Sequence, residues 1–317
     1  MAVPGITRRP ITKSQLADGL FGLLVGLLGL GVLGLAVAIG INLASGAGPA
    51  LGRFGPVFFS RSVWDPVREE FGALPFIYGT LATSFLALLL GAPVALATAV
   101  FLAELAPRWL RGPVSYLVEL LAAIPSVVYG LWGLFVLAPL LRAAIEPALG
   151  GWLGSVPLFQ GPFYGVGIFT GGIILAIMVI PTIAAVSRDV IRAVPADQRE
   201  AMLALGATRW ETIRLAVLPA ARSGIIGAVL LGLGRALGET MAVTMVIGNR
   251  PEIPASIFAP GYTMAAVIAN EFTEATSDLH LSALFGIGLG LFLLTLLVNI
   301  LARLLVWRVA WGPVGGE

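Results

Sequence analysis

The amino-acid sequence predicts an all-α polytopic membrane protein with six transmembrane helices. Hydrophobic residues make up 58% of the 317 residues and charged residues only 11%, whereas soluble domains carry about 25% charged residues. The chain also contains six apolar runs of about 20 residues or more, the length that crosses roughly 30 Å of hydrocarbon. We expect the six helices to form a single transmembrane domain over residues 1–317. The runs cover approximately residues 20–44, 76–102, 114–141, 165–186, 224–246 and 281–306.

The first apolar run is expected to remain in the membrane. It is too long for the hydrophobic core of a signal peptide, and no convincing cleavage site follows it. The basic residues then indicate the orientation, because cytoplasmic loops carry an excess of Lys and Arg. If the N-terminus is cytoplasmic, 13 of the 19 basic residues are inside and five are outside, with Arg8, Arg9, Lys13 and Arg308 among the inner ones. Both termini are therefore predicted to be cytoplasmic.

Side chains that usually mark catalytic or metal sites are scarce. The chain has no cysteine, which excludes thiol chemistry, and one histidine, His280, which leaves no histidine cluster for a metal. It has no GxxxxGK[ST] phosphate loop, so any ATPase must be a partner protein. The net charge of +2 gives no indication of nucleic-acid binding. We therefore expect a transport protein rather than an enzyme, with no metal or cofactor on this chain.

Three further ionisable residues are given no special role. His280 lies at the edge of an outer loop and is interpreted as incidental. Glu104 and Glu119 lie near the predicted inner ends of helices, where a carboxylate can be solvated.

The segment between the fourth and fifth runs, residues 187–223, is unlike the other inner loops because it carries helix signals. The pairs Asp197–Glu200 and Thr208–Glu211 both have the spacing of a capping box. Gly206 lies between them and favours the left-handed turn that ends a helix. Pro219 is predicted to end the second helix. By composition alone, Glu200 is explained as a helix cap.

The fifth run contains two charged residues at membrane depth, Arg235 and Glu239. A charged side chain there costs several kcal/mol on insertion scales, so it needs a partner or a polar pathway. On a continuous helix the two residues share one face, but the order Arg before Glu is the less favourable one for a helix pair. An internal salt bridge and a transport pathway therefore remain as alternatives. Gly232, Gly234 and Gly238 permit close helix packing or leave room for an anion.

Arginine suits a phosphate ion in such a pathway. Its planar fork gives two parallel hydrogen bonds to oxyanion oxygens, and it stays charged at any relevant pH. We hypothesise that Glu239 balances Arg235 when the site is empty, and that its repulsion keeps the anion affinity low enough for release. Thr240, the next residue, is included among the candidate pathway residues.

The third run and the outer loops each allow two interpretations. Pro125 removes a backbone hydrogen bond in the middle of the predicted helix. Ser126, Tyr129 and Trp132 offer polar groups near that point. A kink that only aids packing is preferred over one that lines the pathway. The outer loops either receive a soluble partner or merely cap the helix ends.

A motif in the inner segment resembles one found in a family of transporters. Glu200-Ala201 is followed by Gly206-Ala207 and then by Leu218-Pro219. The spacing is similar to the EAA motif of the membrane subunits of ABC importers, with mild departures at Met202 and Ala216. The resemblance implies that this segment forms the coupling helix, which docks on a cytoplasmic ATPase that holds ATP and Mg²⁺. The residues assigned to this contact are Glu200, Ala201, Gly206, Ala207 and Pro219.

Four longer stretches are similar to the C-type permease subunit of the phosphate-specific (Pst) ABC importer. They are EFGALPFIYGTL (Glu70 to Leu81), AAIPSVVYGLWGLFVLAP (Ala122 to Pro139), IPTIAAVSRDVIRAVP (Ile180 to Pro195) and GLGRALGETMAVTMVIGN (Gly232 to Asn249). The resemblance implies a type I ABC importer permease fold in the inner membrane of a prokaryote. It also implies translocation of inorganic phosphate into the cytoplasm, with Arg235 and Glu239 on the phosphate path.

The same resemblance implies the partners. They are an A-type permease subunit in a heterodimer, a dimer of the ABC ATPase, and a periplasmic or lipid-anchored phosphate-binding protein. Two other functions remain open: a permease for another oxyanion such as molybdate, sulfate or phosphonate, and an ion-coupled secondary transporter that works alone. The second leaves the long capped inner segment unexplained.

Overall fold

The computed structural model describes residues 13–310, and within them the backbone is helical apart from loops and two isolated bridges. The all-α prediction is confirmed, and six of the described helices are long and apolar enough to cross a membrane. The orientation prediction rests partly on Arg8, Arg9 and the Arg308 side chain, which lie outside the described residues, as does the Lys13 side chain. The helices are α1 (Lys13–Gly46), α2 (Gly48–Phe54), α3 (Leu74–Leu105), α4 (Arg108–Ala123), α5 (Ser126–Leu153), α6 (Ile168–Arg192), α7 (Ala196–Ala204), α8 (Arg209–Leu237), α9 (Met241–Val246), α10 (Met264–Glu271) and α11 (Asp278–Ala310).

Helix α6 lies at the centre of the bundle, packed between α3 and α8, and it is the most deeply buried of the six spans. Small residues allow the close approach of these helices. A Cβ on Gly172 would lie 2.7 Å from the Leu86 Cβ, and one on Gly232 would lie 2.6 Å from the Ile183 Cδ1. Helix α8, which carries Arg235, is thereby held firmly against α6.

The third apolar run is not the single helix predicted over residues 114–141. Ile124 and Pro125 adopt extended backbone conformations, with ψ of 127° and 140°, so α4 ends before them and α5 begins after them. Proline has no N–H to donate, and it disfavours the helical conformation of the residue before it. The backbone therefore breaks completely, instead of kinking, and the membrane-spanning helix of this region is Ser126–Leu153.

The fifth run differs from its predicted bounds, residues 224–246, in a similar way. Helix α8 already begins at Arg209 and ends at Leu237, and the short helix α9 follows after a break at Gly238. Glycine is a poor helix former, which favours an interruption there. Glu239 lies in the connection between the two helices. The prediction that it shares a helix face with Arg235 is therefore wrong.

The prediction that Pro219 ends a helix is also wrong. Helix α8 runs straight through this residue. A π-helical turn at Ile213–Val217 directly precedes it, in which the Leu218 N–H donates to the Ile213 carbonyl. A proline ring normally clashes with the carbonyl four residues earlier, and the extra residue in a π turn displaces that carbonyl. The inner segment is thus continuous with the membrane-spanning part of α8.

The turn between α7 and α8 follows the sequence signals closely, but the start of α7 does not. Helix α7 begins directly after Pro195 without a side-chain cap, so the capping box predicted at Asp197–Glu200 is wrong. The second box is present. Thr208 Oγ1 accepts a hydrogen bond from the Glu211 N–H (3.3 Å), and Glu211 Oε2 accepts one from the Thr208 N–H (2.7 Å). Gly206 has a φ of 86°, which confirms the predicted left-handed turn.

The outer loops pack into a buried aromatic cluster that includes the histidine. His280 is only 6% exposed, and its ring stacks on Phe71. Its Nε2 lies 3.1 Å from Glu271 Oε2, which also accepts a hydrogen bond from Trp64 Nε1 (2.9 Å). The interpretation of His280 as incidental is therefore wrong. Burial also raises the pKa of the neighbouring Tyr262 hydroxyl, so this group stays protonated.

Candidate functional site

Arg235 is the charged residue at the centre of the candidate substrate path. It lies in the last turn of α8, and its side chain is exposed in the isolated chain. It forms neither an ion pair nor a hydrogen bond with any other residue that the structure describes. The helix surface beside it is open, since a Cβ on Gly234 would meet no atom within 4 Å. The five N–H donors of this guanidinium are therefore available to a ligand or to another subunit.

Glu239 and Thr240, both half-buried, form the connection that follows α8. Glu239 Oε1 accepts a hydrogen bond from the Ala242 N–H (3.3 Å) in the first turn of α9. The Thr240 hydroxyl donates to the Gly238 carbonyl at 3.4 Å. Glu239 thus stabilises the start of α9. The salt bridge with Arg235 that the sequence left open is not formed in this structure.

Tyr129 brings the break in the third run next to the break in the fifth. It lies in the first turn of α5, which packs against α9, and it is 7% exposed. Its hydroxyl donates to the Leu121 carbonyl (2.8 Å), one of the acceptors that the end of α4 leaves without a helical partner. Ser126, on the same turn, is half-buried.

This arrangement is suited to binding an anion and not to forming or breaking covalent bonds. Two interrupted helices place non-helical backbone within long apolar runs of the sequence, which is tolerated in a membrane protein where the backbone is buried in protein or lines a cavity. The charged group that faces the open side is a guanidinium, the side chain that best matches oxyanions. Within the described residues, no group of three or more His, Asp or Glu side chains is placed to hold a metal ion.

The inner segment presents the motif residues at the surface. Glu200 and Ala201 are exposed on α7. The turn at Gly206 follows, in which the Ala207 N–H bonds to the Met202 carbonyl (3.1 Å). Two apolar residues of this segment, Leu205 and Trp210, are 84% and 57% exposed. No part of the chain that the structure describes covers this surface.

Sequence reasoning missed the residues that hold the inner segment in place. Arg199 directly precedes Glu200, and its Nη2 lies 2.7 Å from Glu104 Oε1 at the inner end of α3. The same guanidinium donates to the carbonyls of Ile191 (2.8 Å) and Val194. The side chains of Arg199 and Glu104 are only 22% and 15% exposed, so the interpretation of Glu104 as a solvated carboxylate is wrong. The only signal was a carboxylate at the end of an apolar run, 95 positions from its partner.

Further contacts tie the inner end of α6 to its neighbours. Arg188 lies 3.4 Å from Glu119 of α4 and 3.0 Å from Asp189. Glu119 is 58% exposed, so it is solvated as predicted but also paired. Arg192 donates to the Leu102 carbonyl of α3 (3.3 Å). The inner ends of α3, α4, α6 and α7 are therefore linked by arginines.

The fold and the site together define a class, the polytopic permease. The family model for the inner membrane component of binding-protein-dependent transport systems matches residues 91–311. The chain belongs to this family.

The relatives are more specific. The phosphate transport system permease protein PstC of Pasteurella multocida (strain Pm70) is 50% identical over 279 residues, which cover 87% of each chain. The PstC protein of Haemophilus influenzae is 47% identical over 92% of this chain and 94% of its own length. The protein PstC 2 of Mycobacterium tuberculosis is 40% identical over 99% of this chain and 98% of its own length.

Solved structures agree on the fold. A bacterial ABC transporter involved in the import of the acidic polysaccharide alginate matches with a TM-score of 0.60 and 18% identity, over 93% of this chain and 99% of the other. The MetNI methionine ABC transporter in an inward-facing conformation matches with a TM-score of 0.55 and 18% identity, over 74% of this chain and 94% of the other. At this level of identity the likeness concerns the fold alone.

Proposed function

We propose that this chain is the transmembrane permease subunit of an ATP-driven importer that translocates inorganic phosphate into the cytoplasm. The observation that carries the proposal is the 50% identity, over 87% of both chains, to a phosphate transport system permease. The chain is a transport subunit and not an enzyme, and a separate ATPase subunit hydrolyses the ATP.

Arg235 binds the phosphate during its passage. Its guanidinium has no competing acceptor among the described residues, and it faces the open side of α8 beside Gly234. Two parallel hydrogen bonds to phosphate oxygens would use its planar fork. Glu239 and Thr240 lie close by in the chain, and the carboxylate keeps the affinity low enough for release. Transport requires weak binding at this point, because a tight site would retain the ion.

Tyr129 and Ser126 line the path from the other interrupted helix. Tyr129 supports the geometry of the break through its hydrogen bond to Leu121. Because α5 packs against α9, which follows the connection after Arg235, the first turn of α5 is suited to face the substrate.

The inner segment couples the path to the ATPase. Glu200, Ala201, Gly206 and Ala207 form the surface that enters a cleft of the ATPase, and Pro219 lies further along α8. Because α8 is unbroken from Arg209 to Leu237, a displacement of the segment reaches Arg235 through one continuous helix. Closure of the ATPase dimer would move the segments together and turn the path outward, and hydrolysis would reset it.

This chain is a permease subunit of an ABC importer and lies in the inner membrane. It works there with a second permease, with an ATPase and with a binding protein. We infer more specifically an A-type permease as partner in a heterodimer, two copies of the ATPase, and a periplasmic or lipid-anchored phosphate-binding protein. Both termini are cytoplasmic in this assignment, in accord with six spans and the distribution of basic residues. Membrane lipid surrounds the spans, and nucleic acid has no role.

The experiment is uptake of labelled phosphate into vesicles that contain the reconstituted four-part complex. We expect uptake that requires ATP and that excess unlabelled phosphate suppresses, whereas sulfate, molybdate and phosphonate do not. Stronger suppression by one of these three would assign the permease to another oxyanion. Uptake without the ATPase, driven by an ion gradient, would instead indicate a secondary transporter and overturn the proposal.

A further inference from the structure

A cavity of about 500 Å³ lies on the inner side of the protein, between the α3–α4 connection and the inner segment. Within the described part of the chain, one acidic residue lines it, Glu104. Its other charged lining residues are four arginines, namely Arg108, Arg111, Arg199 and Arg209. A cleft lined by charges of one sign concentrates counter-ions of the other sign. The cavity is therefore suited to an anion.

The single carboxylate does not neutralise this cavity. Glu104 is bound to Arg199 at 2.7 Å, and both side chains are largely buried. Arg108, Arg111 and Arg209 form no ion pair with any residue in the described range. Three guanidinium charges thus line the cavity without a carboxylate partner.

The donors of the cavity wall are also under-used. Among the residues that the structure describes, the Arg111 guanidinium makes one hydrogen bond, from Nη2 to the Ala106 carbonyl (3.3 Å), and its buried Nε has no partner there. Helix α4, 16 residues long, begins at the cavity wall with Arg108, and its N-cap residue Pro107 provides no side-chain acceptor. The first N–H groups of a helix and its dipole both favour an anion at that end.

We propose that this cavity binds a phosphoryl group, held between the start of α4 and the inner segment. Arg108 and Arg111 would contact it from α4, and Arg209 from the first turn of α8. Guanidinium groups are suited to this class of ligand because they offer paired donors to its oxygens. The bound group would link α4 to the coupling segment and so restrain the movement of that segment.

Two sources provide this chemistry. One is inorganic phosphate on the cytoplasmic side. The other is the headgroup of an anionic phospholipid in the inner leaflet, which the cavity could reach because Trp109, beside Arg108, is 76% exposed and aromatic residues of this kind lie at membrane interfaces. The proposal depends on the cavity and not on the transport assignment of Arg235.

The first experiment measures binding of labelled inorganic phosphate to the permease–ATPase complex in zwitterionic nanodiscs, without nucleotide and without the binding protein. All samples carry Arg235→Gln, so that the transport path does not contribute. If free phosphate is the ligand, binding is saturable, and Arg111→Gln with Arg209→Gln weakens it by at least about tenfold. Arg214→Gln, which removes an exposed arginine outside the cavity lining, leaves it unchanged.

The second experiment uses nanodiscs that contain a photoactivatable phosphatidylglycerol. If the lipid is the ligand, crosslinks concentrate on residues 104–111 and 199–213, and Arg111→Gln with Arg209→Gln removes them whereas Arg214→Gln does not. If the double variant does not assemble, the single variant Arg108→Gln, at an exposed residue, serves in both experiments with the same expectation. The proposal is overturned if the cavity variants match Arg214→Gln in both experiments.

Discussion

Two arginines of this chain, Arg199 and Arg235, differ most clearly in the hydrogen-bond and ion-pair partners of their guanidinium groups. Arg199, on the inner segment, is 22% exposed and is bound to Glu104 and to backbone carbonyls including that of Ile191. Arg235, within an apolar run, has no hydrogen bond or ion pair with another described residue and faces open space. The first guanidinium has its donors in use, and the second has them free.

The difference separates a structural role from a transport role. A paired and buried charge holds its two elements in one geometry, and removing either partner leaves the other uncompensated. An unpaired charge in an apolar region lowers stability, so its presence indicates a ligand that comes and goes. Arg199 therefore fixes the position of the inner segment, and Arg235 is a free binding group. The turn at Gly206 and the continuous helix α8 connect the two.

The largest effect is expected from changing the free arginine. Arg235→Gln removes charge-assisted hydrogen bonds worth about 1.5–3 kcal/mol each. Losing two of them should lower phosphate uptake by about 100-fold or more. Arg235→Lys keeps the charge but loses the fork, and it should retain only a small part of the uptake. Arg214→Gln, at an exposed arginine elsewhere on α8, is the control and should transport like the wild type. If Arg235→Gln takes up phosphate as the wild type does, Arg235 has no transport role and does not differ in role from Arg199.

The next effect is expected on stability. Glu104→Gln removes the charge partner of Arg199, which costs about 3–5 kcal/mol in a fully buried pair. Because the two side chains are 22% and 15% exposed, we expect about 1–3 kcal/mol here. Thermal unfolding of the purified complex measures this loss. Glu252→Gln, at an exposed carboxylate that forms no ion pair with any described residue, should leave the midpoint unchanged, and an equal shift in both variants would argue against a specific clamp.

A smaller effect is expected at the turn of the inner segment. Gly206→Ala places a side chain at a φ of 86°, a conformation that costs a residue other than glycine about 1 kcal/mol or more. We expect a looser turn and more ATP hydrolysed for each phosphate transported. Gly227→Ala is the matched control, because it lies within helix α8 in equally open space. Tight coupling in Gly206→Ala would show that the turn geometry is not needed.

The smallest effect is expected at Tyr129. Tyr129→Phe removes the hydrogen bond to the Leu121 carbonyl, worth about 0.5–1.5 kcal/mol. Uptake should fall by less than about tenfold, since the break itself is imposed by Pro125. Tyr116→Phe, at an exposed tyrosine of α4, should have no effect. A complete loss of uptake in Tyr129→Phe would instead give this hydroxyl a direct role with the substrate.

The number of spans could be predicted from the sequence because length and hydropathy are local properties. The interruptions could be predicted only in part. Pro125 signalled an interruption of the helix. Whether this becomes a kink or a full break depends on whether the freed carbonyls find new hydrogen-bond donors. The Leu121 carbonyl finds one in the Tyr129 hydroxyl. At Pro219 the opposite occurred, because a π turn allowed the helix to continue.

The candidate site was predictable to a similar degree. Arg235 is recognisable because a charge within an apolar run is an anomaly in any single sequence. The sequence did not predict that Arg235 and Glu239 lie on different elements, because this depends on the helix ending at Leu237. The pair of Arg199 with Glu104 spans 95 positions and becomes visible only when α3 and α7 are brought together.

The most direct test compares Arg235→Gln and Arg199→Gln in one preparation, with uptake and thermal stability measured on the same assembled complexes. The account predicts that Arg235→Gln abolishes uptake while the unfolding midpoint stays at or above that of the wild type, because an unpaired charge in an apolar region is removed. It predicts that Arg199→Gln lowers the midpoint while the complexes that remain assembled keep most of their uptake. If Arg235→Gln transports phosphate normally, or loses stability as Arg199→Gln does, Arg235 is a structural residue and the account is contradicted.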